Sequence, residues 1–227
     1  PLNKKIIISK INKKFIGHTE MLEKIEKKNI SNMILVNKKL IVSTLTTHIN
    51  VNSISKVIKR NNYIYNKIIN LNNSLIKDFN ISNPKIIISG FNPHSGEEGK
   101  IGNEEIKILK PQIRKLIKNR INVEGPFSAD SMLINKNINY YDCFVFIFHD
   151  QALIPFKLIS QFTGVNFTGN LDVIRTSPDH GTAYNLKGKK LVSNKSLENC
   201  FKLVSRIYNN RKKYEKSKKI TKSKLSK

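Results

Sequence analysis

Runs of about four to eight apolar residues alternate along this chain with longer segments in which apolar side chains recur at threes and fours, the pattern of an α/β sheet joined by crossover helices. Strands are expected at 6–9, 34–36, 40–45, 85–89 and 143–148, and helices at 19–28, 53–79, 104–118 and 196–209. In the second helix Ile54, Val57, Ile58, Ile64, Ile68, Ile69, Leu71 and Leu75 recur as a single buried face requires. Ser53 and Ser196 stand where helix N-caps belong. Asn166 and Thr168, in a short stretch bounded by Gly164 and Gly169, read as loop residues.

The chain has 227 residues, 39% of them hydrophobic, enough to bury a sizeable core. No apolar run approaches the about 20 residues that span a bilayer, so no membrane role is expected and the default location is the cytoplasm. Cys143 and Cys200 are too few for a disulfide framework and read as reduced core thiols. A net charge of +25 would indicate nucleic acid if the basic residues were clustered. They are instead spread through the chain among abundant Ile and Asn, and no nucleic-acid partner is expected. One cluster exists: residues 211–227 hold nine basic residues and one acidic, without apolar periodicity, and are expected to form a solvated, disordered tail.

The five histidines carry more information. His48 ends the run "LIVSTLTTH", His94 follows "IIISGFNP", and His149 ends "CFVFIFH", so three lie just past the carboxyl ends of expected strands. That is the edge where open α/β sheets bind ligands. His18 and His180 lie elsewhere, in "FIGH" and "SPDH". Three neutral imidazoles at one edge can bind a divalent cation while leaving positions open for substrate oxygens; the alternative is that each histidine hydrogen-bonds locally at its own strand end. Thr46, Thr47, Ser95 and Gly96 offer hydroxyls and N–H groups nearby, and Lys157 and Arg175 offer positive charge suited to a small phosphorylated acid. The glycines of "GEEGKIGNEE" are spaced three and three, which is not the G-x-G-x-x-G of a dinucleotide loop.

The blocks "FIGHTEML", "TLTTHI", "SGFNPHSGEEGKIGNEE", "EGPFSADSM", "YDCFVFIFHDQALIPFK" and "GVNFTGNLDVIRTSPDHGTAYNL" together resemble the 4-hydroxythreonine-4-phosphate dehydrogenase family, in family order. The resemblance implies a two-domain isocitrate/isopropylmalate dehydrogenase-like fold, a homodimer with its active site shared across the interface, and a role in pyridoxal phosphate (vitamin B6) biosynthesis. The implied reaction is NAD- (or NADP-) dependent oxidation of 4-phosphohydroxy-L-threonine at its secondary alcohol, giving a β-keto acid that loses carbon dioxide. One divalent metal per subunit, zinc, magnesium or cobalt, is implied on His48, His94 and His149. Substrate contacts are implied at His18, Thr19, Lys157, Asn166 and Arg175, with Lys157 also the candidate catalytic group. Cofactor contacts are not assigned.

Three departures from the family pattern stand out: Lys100 replaces a usual His, "TGNLDVIRTS" replaces "TLGLPFIRTS", and "SPDH" replaces "SVDH". The chain opens at Pro1, near the end of the family's first third, so the first domain is expected to be incomplete. On that basis residues 1–174 form the metal- and substrate-binding domain, and residues 175–210 the remainder of the cofactor-side domain with weak support. Two alternatives accompany the main reading. One is a dehydrogenase of a related four-carbon phosphorylated hydroxy acid; the other is an inactive remnant acting as a basic binding protein.

Overall fold

The computed structural model describes residues 18–28, 30–181, 188 and 193–225. The expected strand 6–9 lies outside them. Among the described residues the elements are helix α1 (His18–Ile25), strands β1 (Asn32–Val36) and β2 (Ile41–Thr44), helices α2 (Ile54–Ile58) and α3 (Tyr63–Phe79), and strand β3 (Ile86–Ser89). There follow α4 (Lys110–Lys118), β4 (Val123–Phe127), α5 (Asn135–Tyr140), β5 (Cys143–Phe146), α6 (His149–Ser160), β6 (Val165–Gly169), β7 (Thr176–Pro178) and α7 (Lys195–Leu225).

The strands form one sheet in the order β4-β3-β5-β2-β1-β6-β7. The pairs β4–β3, β3–β5 and β5–β2 are parallel, whereas β1 is antiparallel to both β2 and β6, and β7 is antiparallel to β6. Ile34, Val36, Ile86, Ile88, Val145 and Phe167 bury one face of the sheet against Ile64, Ile68, Leu71 and Leu75 of α3, Ile113 and Leu116 of α4, and Leu203 and Ile207 of α7. Leu35, Val42, Ile87, Phe144 and Phe146 bury the other against Ala152 and Phe156 of α6. Helices on both faces explain why the central strands β2, β3 and β5 are buried at nearly every residue rather than at alternate ones. Both cysteines are buried thiols, and burial pushes that of Cys143 far above its ordinary range.

Four differences from the sequence reading have physical causes. The helix expected at 53–79 is two helices, because Asn62 takes a left-handed conformation with φ 55° and breaks the hydrogen-bond ladder between them. Ser53 makes no side-chain capping bond, and Ser196 lies inside α7 with its hydroxyl donated to the Gly164 carbonyl. Asn166 and Thr168 belong to a strand: β6 alternates polar 166 and 168 with buried Val165 and Phe167 and pairs along its whole length with β1. Finally, residues 211–225 continue α7 instead of forming a disordered tail.

The last difference rests on Arg211, which is only 8% exposed. Its Nε donates to Asp78 Oδ1 at 2.7 Å, and its remaining nitrogens donate to the carbonyls of Leu171 and Asp172. Burial pushes the Asp78 carboxyl above its ordinary range, with the hydrogen bond and charge of Arg211 pulling it back. One well-satisfied cation anchors this part of the helix without the apolar stripe that periodicity would detect. β7 and α7 also join the same sheet and the same core cluster as the residues before 175. Arg211→Ala leaves the buried Asp78 carboxylate without its cation, takes a donor from two carbonyls, and is expected to lower unfolding free energy by about 3–5 kcal/mol in urea titrations; a loss under about 1 kcal/mol would show that the pair is not the anchor.

Candidate active site

The parallel register sets the site. Thr44 pairs with Phe146, and the pairing continues past both strands: Leu45 N donates to Phe146 O at 2.8 Å, Thr46 N to Ile147 O at 2.9 Å, and Thr46 Oγ1 to Ile147 O at 2.8 Å. The segments ending in His48 and His149 therefore leave the sheet side by side, and the two rings come to 5.7 Å between centroids. Two imidazoles on one tetrahedral cation, each bound at about 2.1 Å, have centroids about 5 Å apart, so this pair fits a shared ion with little movement. His149 Nδ1 lies 2.7 Å from Asp150 Oδ1. With the carboxylate accepting from Nδ1–H, Nε2 keeps its lone pair for a ligand.

Two half-buried polar groups brace this edge. Gln151 Oε1 accepts from Ile147 N at 3.0 Å and Ser89 Oγ at 3.2 Å, while its Nε2 donates to Gly90 O at 3.2 Å, tying the ends of β5 and β3 together. Tyr63 donates its hydroxyl to Leu45 O at 2.7 Å, and burial pushes the phenol up to about 12, so it remains a donor.

His94 leaves the same edge from β3 but stands apart from the pair. It borders a cleft of about 410 Å³ with Phe91, Ser128, Asp130, Phe148 and Gln151. On the rim of that cleft the Ser128 hydroxyl donates to Asp130 Oδ1 at 2.6 Å and holds the Asp130 carboxyl below its ordinary range. Among the described residues no three His, Cys, Asp or Glu side chains are grouped closely enough to hold a metal ion. His94 is carried on an unusual turn: His94, Ser95, Gly96, Glu97 and Glu98 all have positive φ, at 49°, 52°, 80°, 40° and 54°. Each non-glycine residue in that region costs about 1–2 kcal/mol.

The expected substrate residues divide. Arg175 Nη1 donates to Thr168 Oγ1 at 2.9 Å and reaches Thr19 Oγ1 at 3.5 Å, which joins β6, the approach to β7 and the first turn of α1, where His18 also lies. Asn166 sits two residues before Thr168 on the same strand, and its Oδ1 is buried without a hydrogen-bond partner among the described residues. Lys157 is exposed on α6, eight positions after His149, which is about 12 Å along the helix axis. Its charged neighbour is Asp179, whose carboxyl burial pushes upward against a hydrogen bond from Ser160 and the charge of Lys157. The departures in "TGNLDVIRTS" are accommodated locally. Asn170 adopts φ 62° and donates from Nδ2 to Ile30 O at 2.6 Å, and Asp172 pairs with Lys28 at 3.3 Å.

Gln151, Tyr63 and the acidic residues around the His94 turn were not singled out by sequence reasoning. A usable signal existed for the last group: acidic residues number 16 against 41 basic, so the consecutive pair Glu104–Glu105 beside a glycine-rich loop is unusual for this chain. The left-handed run supplies a direct test. Glu97→Gly and Glu98→Gly, both at exposed positions, are each expected to raise unfolding free energy by about 0.5–1 kcal/mol; a loss of stability in both would argue against the observed backbone.

Comparison with known proteins bears on the family and the fold. The family described as "Pyridoxal phosphate biosynthetic protein PdxA" matches residues 1–204. A 4-hydroxythreonine-4-phosphate dehydrogenase of Bacteroides thetaiotaomicron is 37% identical over 212 residues, 93% of this chain and 58% of that protein. A D-threonate 4-phosphate dehydrogenase of Pectobacterium atrosepticum is 36% identical over 186 residues, 82% of this chain and 56% of that one. The crystal structure of a 4-hydroxythreonine-4-phosphate dehydrogenase from Klebsiella pneumoniae superposes with a TM-score of 0.79 at 32% identity, covering 91% of this chain and 62% of the other. The chain thus spans about three fifths of the length of the relatives it matches. Its architecture is the isocitrate/isopropylmalate dehydrogenase-like α/β fold, and the chain belongs to the pyridoxal phosphate biosynthetic protein PdxA family.

Proposed function

We propose that this chain carries the metal- and substrate-binding part of an NAD- or NADP-dependent dehydrogenase that oxidises 4-phosphohydroxy-L-threonine in pyridoxal phosphate biosynthesis. The observation that carries the reading is the approach of His48 and His149 at the carboxyl edge of adjacent parallel strands, with a carboxylate fixing the tautomer of the second. His48, His94 and His149 would hold one divalent cation, with the set completed when two copies associate. Zinc, magnesium and cobalt are the candidate ions. When bound, the cation would supply Lewis acidity toward the substrate hydroxyl and carboxylate, and a nicotinamide cofactor would supply the hydride acceptor.

The remaining work falls to side chains of this chain. Arg175, fixed by Thr168, presents a guanidinium fork for an anionic end of the substrate, and His18 and Thr19 line the same corner. The unpartnered oxygen of Asn166 is suited to a donor on the substrate. Lys157 adds a second positive charge and is the candidate catalytic residue for proton transfer. Its distance from His149 along α6 is understandable if one copy supplies Lys157 to the site of another. The outer face of α6 supports such a pairing: Ile154 and Leu158, one turn apart on it, and Phe162, just past its left-handed end at Gln161, are 70%, 76% and 70% exposed. Three large apolar residues left in water on and just after one helix mark an interaction surface. A homodimer through this face would bury them, and a cytoplasmic location is part of the same proposal; among the described residues no helix is long and apolar enough to cross a membrane.

A second substrate is supported by the Pectobacterium relative, named for D-threonate 4-phosphate. Comparing kcat/KM for phosphohydroxythreonine and D-threonate 4-phosphate under metal saturation decides between them. Formation of reduced cofactor with the first at a ratio of at least about tenfold supports the main reading; preference for the second replaces it, and turnover of neither overturns both. Two further outcomes are expected. Asp150→Ala weakens metal affinity by about 10–100-fold by calorimetry, since it removes the acceptor that orients His149. Leu158→Asp shifts the chain from dimer to monomer in sedimentation and abolishes turnover; a monomeric parent chain, or an active monomeric variant, would contradict the shared site.

A further inference from the structure

The turn that carries His94 closes around a single buried carboxylate. Glu105 is 1% exposed. Its Oε1 accepts hydrogen bonds from Phe91 N at 2.8 Å and Asn92 N at 2.7 Å, and its Oε2 accepts from Asn92 Nδ2 at 2.9 Å. All three donors are uncharged. Two glycines leave the space that this carboxylate fills: a Cβ on Gly96 would stand 2.7 Å from Oε2, and one on Gly90 would stand 3.2 Å from Oε1. Asn92 is held a second time, because its Nδ2 also donates to Glu104 Oε2 at 3.0 Å, and Glu104 in turn accepts from Ser55 Oγ at 3.3 Å. That hydrogen bond from Asn92 holds the Glu104 carboxyl below its ordinary range.

Such an arrangement is costly. Burying a carboxylate against neutral donors carries a desolvation penalty that an apolar side chain of the same size avoids. The turn beyond it is left-handed at four non-glycine positions. Conformations of this kind persist only where the surroundings over-determine them, and they collect at functional sites. The residues that bear both penalties fix one outcome, the path of the backbone between Gly90 and Gly96, and the ionisable side chain on that path is His94.

We propose that Glu105 is the positioning residue for His94. Its carboxylate is the template on which the left-handed turn folds, and through the turn it sets the direction of the imidazole toward the cation. The proposal rests on the reading of His94 as a metal ligand.

The test uses the full chain titrated with Co²⁺ and followed by its visible absorption. Glu105→Ala is expected to weaken Co²⁺ binding by about 10–100-fold and to alter the d–d band, as loss of an orienting partner does. Glu105→Gln keeps an acceptor for the two backbone N–H groups but sets its amide nitrogen against the donor Asn92 Nδ2; it is expected to retain the fold, with a Co²⁺ affinity between those of the parent and the alanine variant and a shifted band, and it carries the test if the alanine variant does not fold, a parent-like affinity and spectrum then overturning the proposal. His94→Ala is the reference. If His94→Ala loses affinity while folded Glu105→Ala binds within about twofold of the parent with an unchanged spectrum, Glu105 does not position the ligand. If His94→Ala itself binds like the parent, the metal reading of His94 fails and takes this proposal with it.

Discussion

The parallel pairing of β2 with β5, prolonged beyond both strands by the hydrogen bonds of Leu45 and Thr46, is the constraint on which the rest of the site depends. It fixes Thr44 against Phe146, and from that register the positions of His48 and His149 follow within a residue. A slip of one residue would exchange the two faces of β2 and turn Val42 out of its core cluster, so the apolar pattern enforces the same register that brings the imidazoles together. β3 lies on the other side of β5, which places the exit of the His94 turn at the same edge. Packing and chemistry are therefore specified by one set of residues.

A second theme is the use of carboxylates inside a strongly basic chain. Lysine covers the surface and explains little of the architecture. The few acidic groups that are buried hold specific joints: Asp78 receives Arg211 and fixes α7, Glu105 receives two backbone N–H groups and closes the His94 turn, and half-buried Asp179 meets Ser160 beside Lys157. Each replaces water with a small number of directed donors, and the penalty for losing one donor is correspondingly large.

Much of this was legible in the sequence, and what was not has definite reasons. The strands at 34–36, 40–45, 85–89 and 143–148 were readable because burial on both sheet faces leaves nearly continuous apolar runs. The placement of His48 and His149 beyond strand ends followed from those runs. β6 was hidden by its flanking glycines and its asparagine, and emerges only through pairing with β1, a contact between residues far apart in sequence. The helical continuation past residue 211 was hidden because its anchor is a single ion pair to Asp78, which leaves no period. The roles proposed for Lys157, Asn166 and Arg175 came from resemblance; the structure groups Arg175 with Thr19 and Thr168.

The central claim is that three imidazoles from His48, His94 and His149 surround one cation. X-ray absorption at the zinc edge of the metal-loaded chain measures this directly, because imidazole rings give a distinctive outer-shell scattering. The account predicts three imidazole nitrogens at about 2.0–2.1 Å, falling to two in His94→Ala. A spectrum of the parent chain that shows fewer than three imidazoles, or one that does not change when His48, His94 or His149 is replaced, would contradict it.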